Sequence, residues 1–306
     1  MSLGSTPNTL QSTFPAPLQE TESGGVGAYW ALTKPRVTFM VVLTAVAGYA
    51  MAVFGSPDWG LMLHLALGTF FIAGGTAGLN QALEAQADGR MQRTSGRPLP
   101  AGQLEPSAAL AFTTVLVLLG AFYLALWVSP TSALLGVLTS SLYLFLYTPL
   151  KVRTVWCTAI GAVPGALPPL MGWAAARSPL EPGGLALFAL LFLWQFPHFY
   201  AIAWMYRDDY RRGGFRMLPL IDWDGRRTAR HILVHTLLLI AGSLLPFAVG
   251  MTGWIYLAGA LLLSWIPLKA ALRVRRQRTP QAAAKVLRAS VLYLPLMLIL
   301  LIADKL

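Results

Sequence analysis

The sequence predicts an all-α fold, a polytopic membrane protein of about nine transmembrane helices, and three observations carry that expectation. Of the 306 residues 56% are hydrophobic and only 11% charged, and the mean hydropathy is +0.60, a composition foreign to ordinary soluble domains. Apolar runs of about 20 residues, the length that crosses a bilayer, begin near Val37, Leu61, Ala108, Thr131, Val155, Leu185, Ile232, Thr252 and Val286. The basic residues are segregated, with 21 of the 23 Lys and Arg falling in alternate loops.

Residues 1–28 are rich in Ser, Thr, Pro and Gly and hold no Lys or Arg. They are expected to be a disordered cytoplasmic tail, without the basic segment of a signal peptide or the arginines of a mitochondrial presequence, which points to a bacterial inner membrane. Residues 29–306 are expected to form a single transmembrane domain. Lys34 and Arg36 precede helix 1, Arg90, Arg93 and Arg97 follow helix 2, and Lys151 and Arg153 follow helix 4. Seven more basic residues follow helix 6 and seven follow helix 8, leaving Arg177 and Lys305 for the other face. The basic face is therefore cytoplasmic by the positive-inside rule. The net charge of +11 reports topology rather than a nucleic-acid stripe, so no nucleic acid is expected. Cys157 is the only cysteine, which excludes an intrachain disulfide or a thiolate metal site and suits packing. The basic run from Arg273 to Arg278 reads as an anchor to anionic lipid, worth roughly 1 kcal/mol per residue.

Carboxylates and guanidinium groups crowd the end of helix 2, from Asn80 to Pro100. Asn80, Glu84 and Asp88 recur every four residues, so a continuing helix stacks them on one face with a drift of about 40° per step. Gly89 then offers a stop. Carboxylates there oppose the negative end of the helix dipole at roughly 0.3–1 kcal/mol each, a conflict that a bound cation relieves. With Arg90, Arg93 and Arg97 close behind, the stretch suits a polyanion carried in with a divalent metal, as in a magnesium diphosphate. Asp208, Asp209 and Tyr210 close helix 6 on the same membrane face. Each cluster follows the second helix of a group of four, so helices 1–4 and 5–8 are expected to be a diverged repeat, with helix 9 added. Solvated loops with local ion pairs are the competing reading.

Helix 5 carries Pro164, Pro168 and Pro169, which remove amide donors where only protein or a water-filled cavity can cover the freed backbone. Both a cavity and a packed kink satisfy that need. Helix 6 carries Gln195 and His198, the latter roughly 15 Å along the helix from Asp208. An imidazole at that depth either positions a ligand or bonds a carbonyl freed by Pro197. His64, His231 and His235 read as interfacial polar residues.

Six ordered phrases carry a resemblance: Asn80-x3-Glu84-x3-Asp88, Met91-Gln-Arg93-Thr94-x2-Arg97-Pro98-Leu99, Tyr147-Thr148-Pro149-Leu150-Lys151-x-Arg153-Thr154, the proline-glycine run from Gly161 to Trp173, Trp194-Gln195-x-Pro197-His198-Phe199, and Asp209-Tyr210-x7-Leu218-Pro219. Together, from about Leu32 to the end, the chain resembles the haem O synthase (protohaem IX farnesyltransferase) family of UbiA-type intramembrane prenyltransferases. The resemblance implies nine helices around a central cavity, farnesyl diphosphate as donor, a vinyl group of haem B as acceptor, and Mg2+ as cofactor. It implies Asn80, Glu84, Asp88, Asp208 and Asp209 as metal-binding and catalytic residues, and Arg93, Arg97, Lys151 and Arg153 as the diphosphate clamp. For the haem or prenyl pocket it implies His198, Gln195, Tyr147, Trp194 and Phe199. Membrane lipid and a terminal oxidase assembly or haem A synthase are the implied partners. The chain departs from the family in placing Glu84, Gln86 and Asp88 where many members have three aspartates. A prenyltransferase acting on a quinone-ring precursor, a secondary transporter and a structural role in oxidase assembly are the alternatives. Acids at helix ends rather than at the midplane weigh against transport.

Overall fold

The computed structural model describes residues 25–306. The first 24 residues of the expected tail lie outside the described residues, and a short helix, Val26–Leu32, straddles the expected start of the domain at residue 29. The nine apolar runs then appear in order as α1 (Pro35–Ala52), α2 (Trp59–Leu83), α3 (Pro106–Trp127), α4 (Pro130–Leu150), α5 (Cys157–Trp173), α6 (Pro182–Met205), α7 (Arg226–Gly242), α8 (Trp254–Gln277) and α9 (Pro280–Ala303). Eight of these segments, with α7 continued to Ala248, are long and apolar enough to cross a membrane. The other, α5, has 17 residues, at the lower end of spanning length.

The starts follow from local chemistry. Proline opens α1, α3, α4, α6 and α9, where its missing N–H costs nothing. Asp58, Ser129 and Thr279 accept bonds from the amides of Leu61, Ser132 and Ala282 and cap α2, α4 and α9. The ends hold the first correction. α6 stops at Met205, and a separate short helix, Arg207–Arg212, carries Asp208 and Asp209 in its first turn. These acids therefore meet the favourable end of a helix rather than the unfavourable end of α6. α2 likewise stops at Leu83 and a short helix, Ala85–Gly89, follows. Here the stacking persists, because the Glu84 amide bonds the Asn80 carbonyl at 3.0 Å and the Asp88 amide bonds the Glu84 carbonyl at 2.8 Å.

α5 is buried along 13 of its 17 residues, which places it at the centre of the bundle. Gly48 of α1 lies directly on the Pro169 backbone and Gly172 of α5 on the Ala45 carbonyl, so a Cβ at either position would collide with main chain. Along this contact the proline-bearing helix is packed closely against α1. At the face away from the acids, the Lys305 ammonium reaches the Ala50 carbonyl at 2.6 Å and also that of Val53. Asp304 accepts from the Tyr256 amide at 2.6 Å. These contacts tie together the ends of α1, the start of α8 and the end of α9. Cys157 is buried among Met91, Tyr147 and Phe215, as packing.

Candidate active site

The site is built where α1 begins and where α2 and α4 end. Asn80 and Asp88 are 2% and 1% exposed, and each acid here meets a cation. Lys151 donates to Glu84 Oε1 at 2.8 Å, and Arg97 donates to Asp88 Oδ2 at 2.6 Å. The Asn80 amide donates to Thr148 Oγ1 at 3.1 Å, and its oxygen faces the Lys34 ammonium at 3.5 Å. The π-helical segment Leu142–Tyr147 precedes Pro149, and such a widened turn re-aims side chains. It brings the Tyr147 ring 4.5 Å and the Tyr143 ring 5.8 Å from the Lys151 ammonium, with Phe215 at 5.9 Å. Burial opposes the charge on Lys151, but Tyr147, Tyr143 and Glu84 outweigh it and hold the pKa above that of an ordinary lysine.

Lys34 is the residue that sequence reasoning missed, because Lys34-Pro35-Arg36 reads as a topology signal. Its backbone is left-handed, with φ 47°, a conformation rare outside glycine and asparagine. That conformation turns the chain into α1 directly beneath Asn80. Burial of its ammonium, reinforced by Arg97 and Lys151, lowers its pKa to about 7 against the pull of Glu84 and Asp88.

Asp209 belongs to a different arrangement. Its Oδ1 accepts from the Gln92 amide at 2.8 Å and from Arg212, and its Oδ2 from the Arg93 amide at 3.1 Å. The residue thus clasps the loop that follows Asp88. Arg93 donates to the Tyr210 hydroxyl at 3.2 Å and lies over the rings of Tyr206 and Tyr210 at 5.1 and 5.5 Å. Its Nε is buried without a hydrogen-bond partner. Asp208 is not drawn in: its side chain is 73% exposed and pairs with Arg211 and Arg207. Arg153 is exposed and forms no ion pair among the described residues.

The expected pocket residues separate. Trp194 and His198 stack at 4.6 Å, Phe199 stands edge-on to His198 at 5.7 Å, and both Trp194 and His198 are anchored to Ser290 of α9. His198 Nδ1 bonds the Ser290 hydroxyl at 2.9 Å, rather than the carbonyl freed by Pro197. Gln195 instead bridges α6 to the Ala162 carbonyl of α5 at 3.0 Å. Tyr147 stays with Lys151 at the acid end. His64 bonds Tyr123 and stacks on Trp127, and His235 bonds the His231 carbonyl and stacks on Phe196.

Among the described residues no three or more His, Cys, Asp or Glu side chains stand close enough to hold a metal together. The donor set nevertheless suits a hard cation, since Asn80, Glu84 and Asp88 offer oxygens from successive turns. Their present partners are lysines and an arginine, which can exchange a carboxylate for a phosphate. Asp208, exposed and engaged elsewhere, does not fit that set.

Comparison with known proteins places these features. Residues 41–297 match the model of the UbiA prenyltransferase family. The chain is 47% identical over 286 residues to a protoheme IX farnesyltransferase of Solibacter usitatus, covering 90% of this chain and 98% of that one. It is 42% identical over 290 residues to a protoheme IX farnesyltransferase of Koribacter versatilis, covering 90% and 93%. A solved digeranylgeranylglyceryl phosphate synthase shares the fold with a TM-score of 0.75 at 19% identity, covering 91% of this chain and 97% of that one. A UbiA homolog from Archaeoglobus fulgidus, bound to DMAPP and Mg2+, superposes with a TM-score of 0.58 at 12% identity, covering 90% and 99%.

Proposed function

The chain belongs to the UbiA prenyltransferase family, on its protoheme IX farnesyltransferase branch, and on that premise we propose that it transfers farnesyl from farnesyl diphosphate to a vinyl group of haem B, forming haem O. The observation that carries the reading is the buried cage in which Glu84 and Asp88 are held by Lys151 and Arg97 beside Asn80 and Lys34. In such a cage each carboxylate already faces a cation, so when a metal diphosphate enters the acids can turn to the metal and the cations to the phosphates.

Asn80, Glu84 and Asp88 would hold Mg2+, which as a Lewis acid lowers the cost of charge on the leaving diphosphate. Lys34, Arg97 and Lys151 neutralise the remaining charge. Arg93 presents a buried Nε whose missing partner costs roughly 1–3 kcal/mol, and a phosphate oxygen satisfies it. The allylic C–O bond breaks with its electron pair leaving on diphosphate. Positive charge spreads into the farnesyl chain, where the Tyr147 ring beside the cage stabilises it. The vinyl π pair of haem B then forms the new bond to C1, and water captures the resulting cation and loses a proton. Trp194, His198 and Phe199 offer an aromatic surface for the macrocycle. Replacing His198 by Ala should weaken haem binding several-fold more than farnesyl diphosphate binding. Unchanged haem affinity would return His198 to a packing role anchored on Ser290.

The asymmetry of Lys and Arg supports a cytoplasmic site. A terminal oxidase assembly or haem A synthase would use the product. The test is to incubate the purified protein with haem B, farnesyl diphosphate and magnesium, with and without chelator, and to analyse the pigments by chromatography and mass. A magnesium-dependent haem bearing a hydroxyethylfarnesyl group is expected. Diphosphate release with no new haem would overturn the acceptor and keep the prenyltransferase.

A further inference from the structure

A groove of about 300 Å3 runs between α8 and α9, floored by Ala270 and Ala289 and walled by Lys269, Arg273, Lys285 and Arg288. The two helices are antiparallel and joined by a short turn around Arg278, which has a left-handed backbone. Counting at about 1.5 Å per residue from that turn, Arg273 and Lys285 lie 6–8 Å along their helices. Lys269 and Arg288 lie about 12 Å along by the same count, and the apolar Ile266 and Leu292, which also line the groove, about 16–18 Å. The groove is therefore a ladder of two cationic rungs with an apolar rung beyond.

The depth matters. α8 has 24 residues, about 36 Å of helix against about 30 Å of hydrocarbon. The first rung then sits at headgroup level and the second about one turn inside, within reach of a snorkelling side chain. Lys269, Arg273 and Lys285 are exposed and pair with no carboxylate among the described residues. These three side chains can take an anion from the membrane side, and the apolar rung can take hydrocarbon.

We infer that this groove binds an anionic phospholipid whose headgroup carries two phosphates, one at each cationic rung, with acyl chains running past Ile266 and Leu292. A soluble anion matches the rungs but leaves the apolar end empty. Diffuse attraction to a charged bilayer uses Arg275 equally, yet Arg275 lies about 180° around α8 from Ile266, away from the groove. The site is separate from the carboxylate cage, and its occupancy does not depend on the reaction proposed there.

Native mass spectrometry of the full chain in detergent, titrated separately with diphosphatidylglycerol and with phosphatidylglycerol, tests this. The two-phosphate lipid should be retained as a one-to-one complex, about tenfold more tightly than the one-phosphate lipid, and Lys269→Gln, Arg273→Gln and Lys285→Gln should each weaken it about fivefold. Arg275→Gln should leave it unchanged, and all variants should unfold at the same temperature without lipid. Equal retention of both lipids, or equal weakening by Arg275→Gln, means a diffuse basic surface and overturns the site. Displacement of the lipid by millimolar inorganic diphosphate would assign the groove to a soluble anion instead.

Discussion

The carboxylates after α2 and those after α6 stand on the same membrane face behind similar arginine-rich loops, yet they are held in opposite ways. Glu84 and Asp88 are paired with cations brought from the end of α4 and from their own loop, next to the lysine that precedes α1. Asp209 spends both oxygens on the Gln92 and Arg93 amides and on Arg212, while Asp208 faces outward. The first cluster is a cage that gathers charge from several elements. The second is a clasp that fixes the loop on which Arg93 rides. What separates them is the partner: side-chain cations can be exchanged for a ligand, whereas backbone amides hold a loop in place.

The comparison is broken most severely if the cage is not needed. Asp88→Asn should lower turnover by about 100-fold or more, the loss of roughly 3 kcal/mol of transition-state stabilisation, while the protein still inserts and folds. Near-parental turnover would remove Asp88 from the mechanism. Asp209→Asn should act through the clasp, raising KM for farnesyl diphosphate about tenfold as the loop loosens, since hydrogen bonds to a charged group are worth about 1.5–3 kcal/mol. A fall in kcat alone would assign Asp209 to the cage.

Lys34 sharpens the comparison through pH. Its folded pKa of about 7 lies below the ordinary lysine value of 10.5, so the unfolded chain binds more protons between those two values. Stability in chelator should then rise as pH increases from about 7 towards 10.5, and Lys34→Met should remove that part of the rise. A slope unchanged in the variant would show that Lys34 is not the titrating group. The smallest effect is expected at Asp208, whose exposed pairs are worth at most about 1 kcal/mol, so Asp208→Asn should keep turnover within about threefold.

Much of this was legible in the sequence. Among the described residues α1–α9 follow the apolar runs, and their starts follow from proline and capping residues such as Asp58 and Thr279. The four-residue recurrence of Asn80, Glu84 and Asp88 announced the cage. Lys34 was hidden because a lysine before a membrane helix serves topology equally well, and only the fold shows it beneath Asn80. Asp208 and Asp209 could not be told apart, since adjacent residues on a short helix face different ways. His198 and Gln195 were visible as buried polar groups, but Ser290 and the Ala162 carbonyl lie on other helices, at 92 and 33 residues' distance in the chain.

The most direct test measures binding of a non-hydrolysable farnesyl thiodiphosphate by calorimetry, with and without magnesium, to the parent protein and to Asp88→Asn and Asp208→Asn. The cage account predicts tight, magnesium-dependent binding that Asp88→Asn abolishes and Asp208→Asn preserves. Binding that ignores magnesium, or that falls equally in both variants, would contradict it.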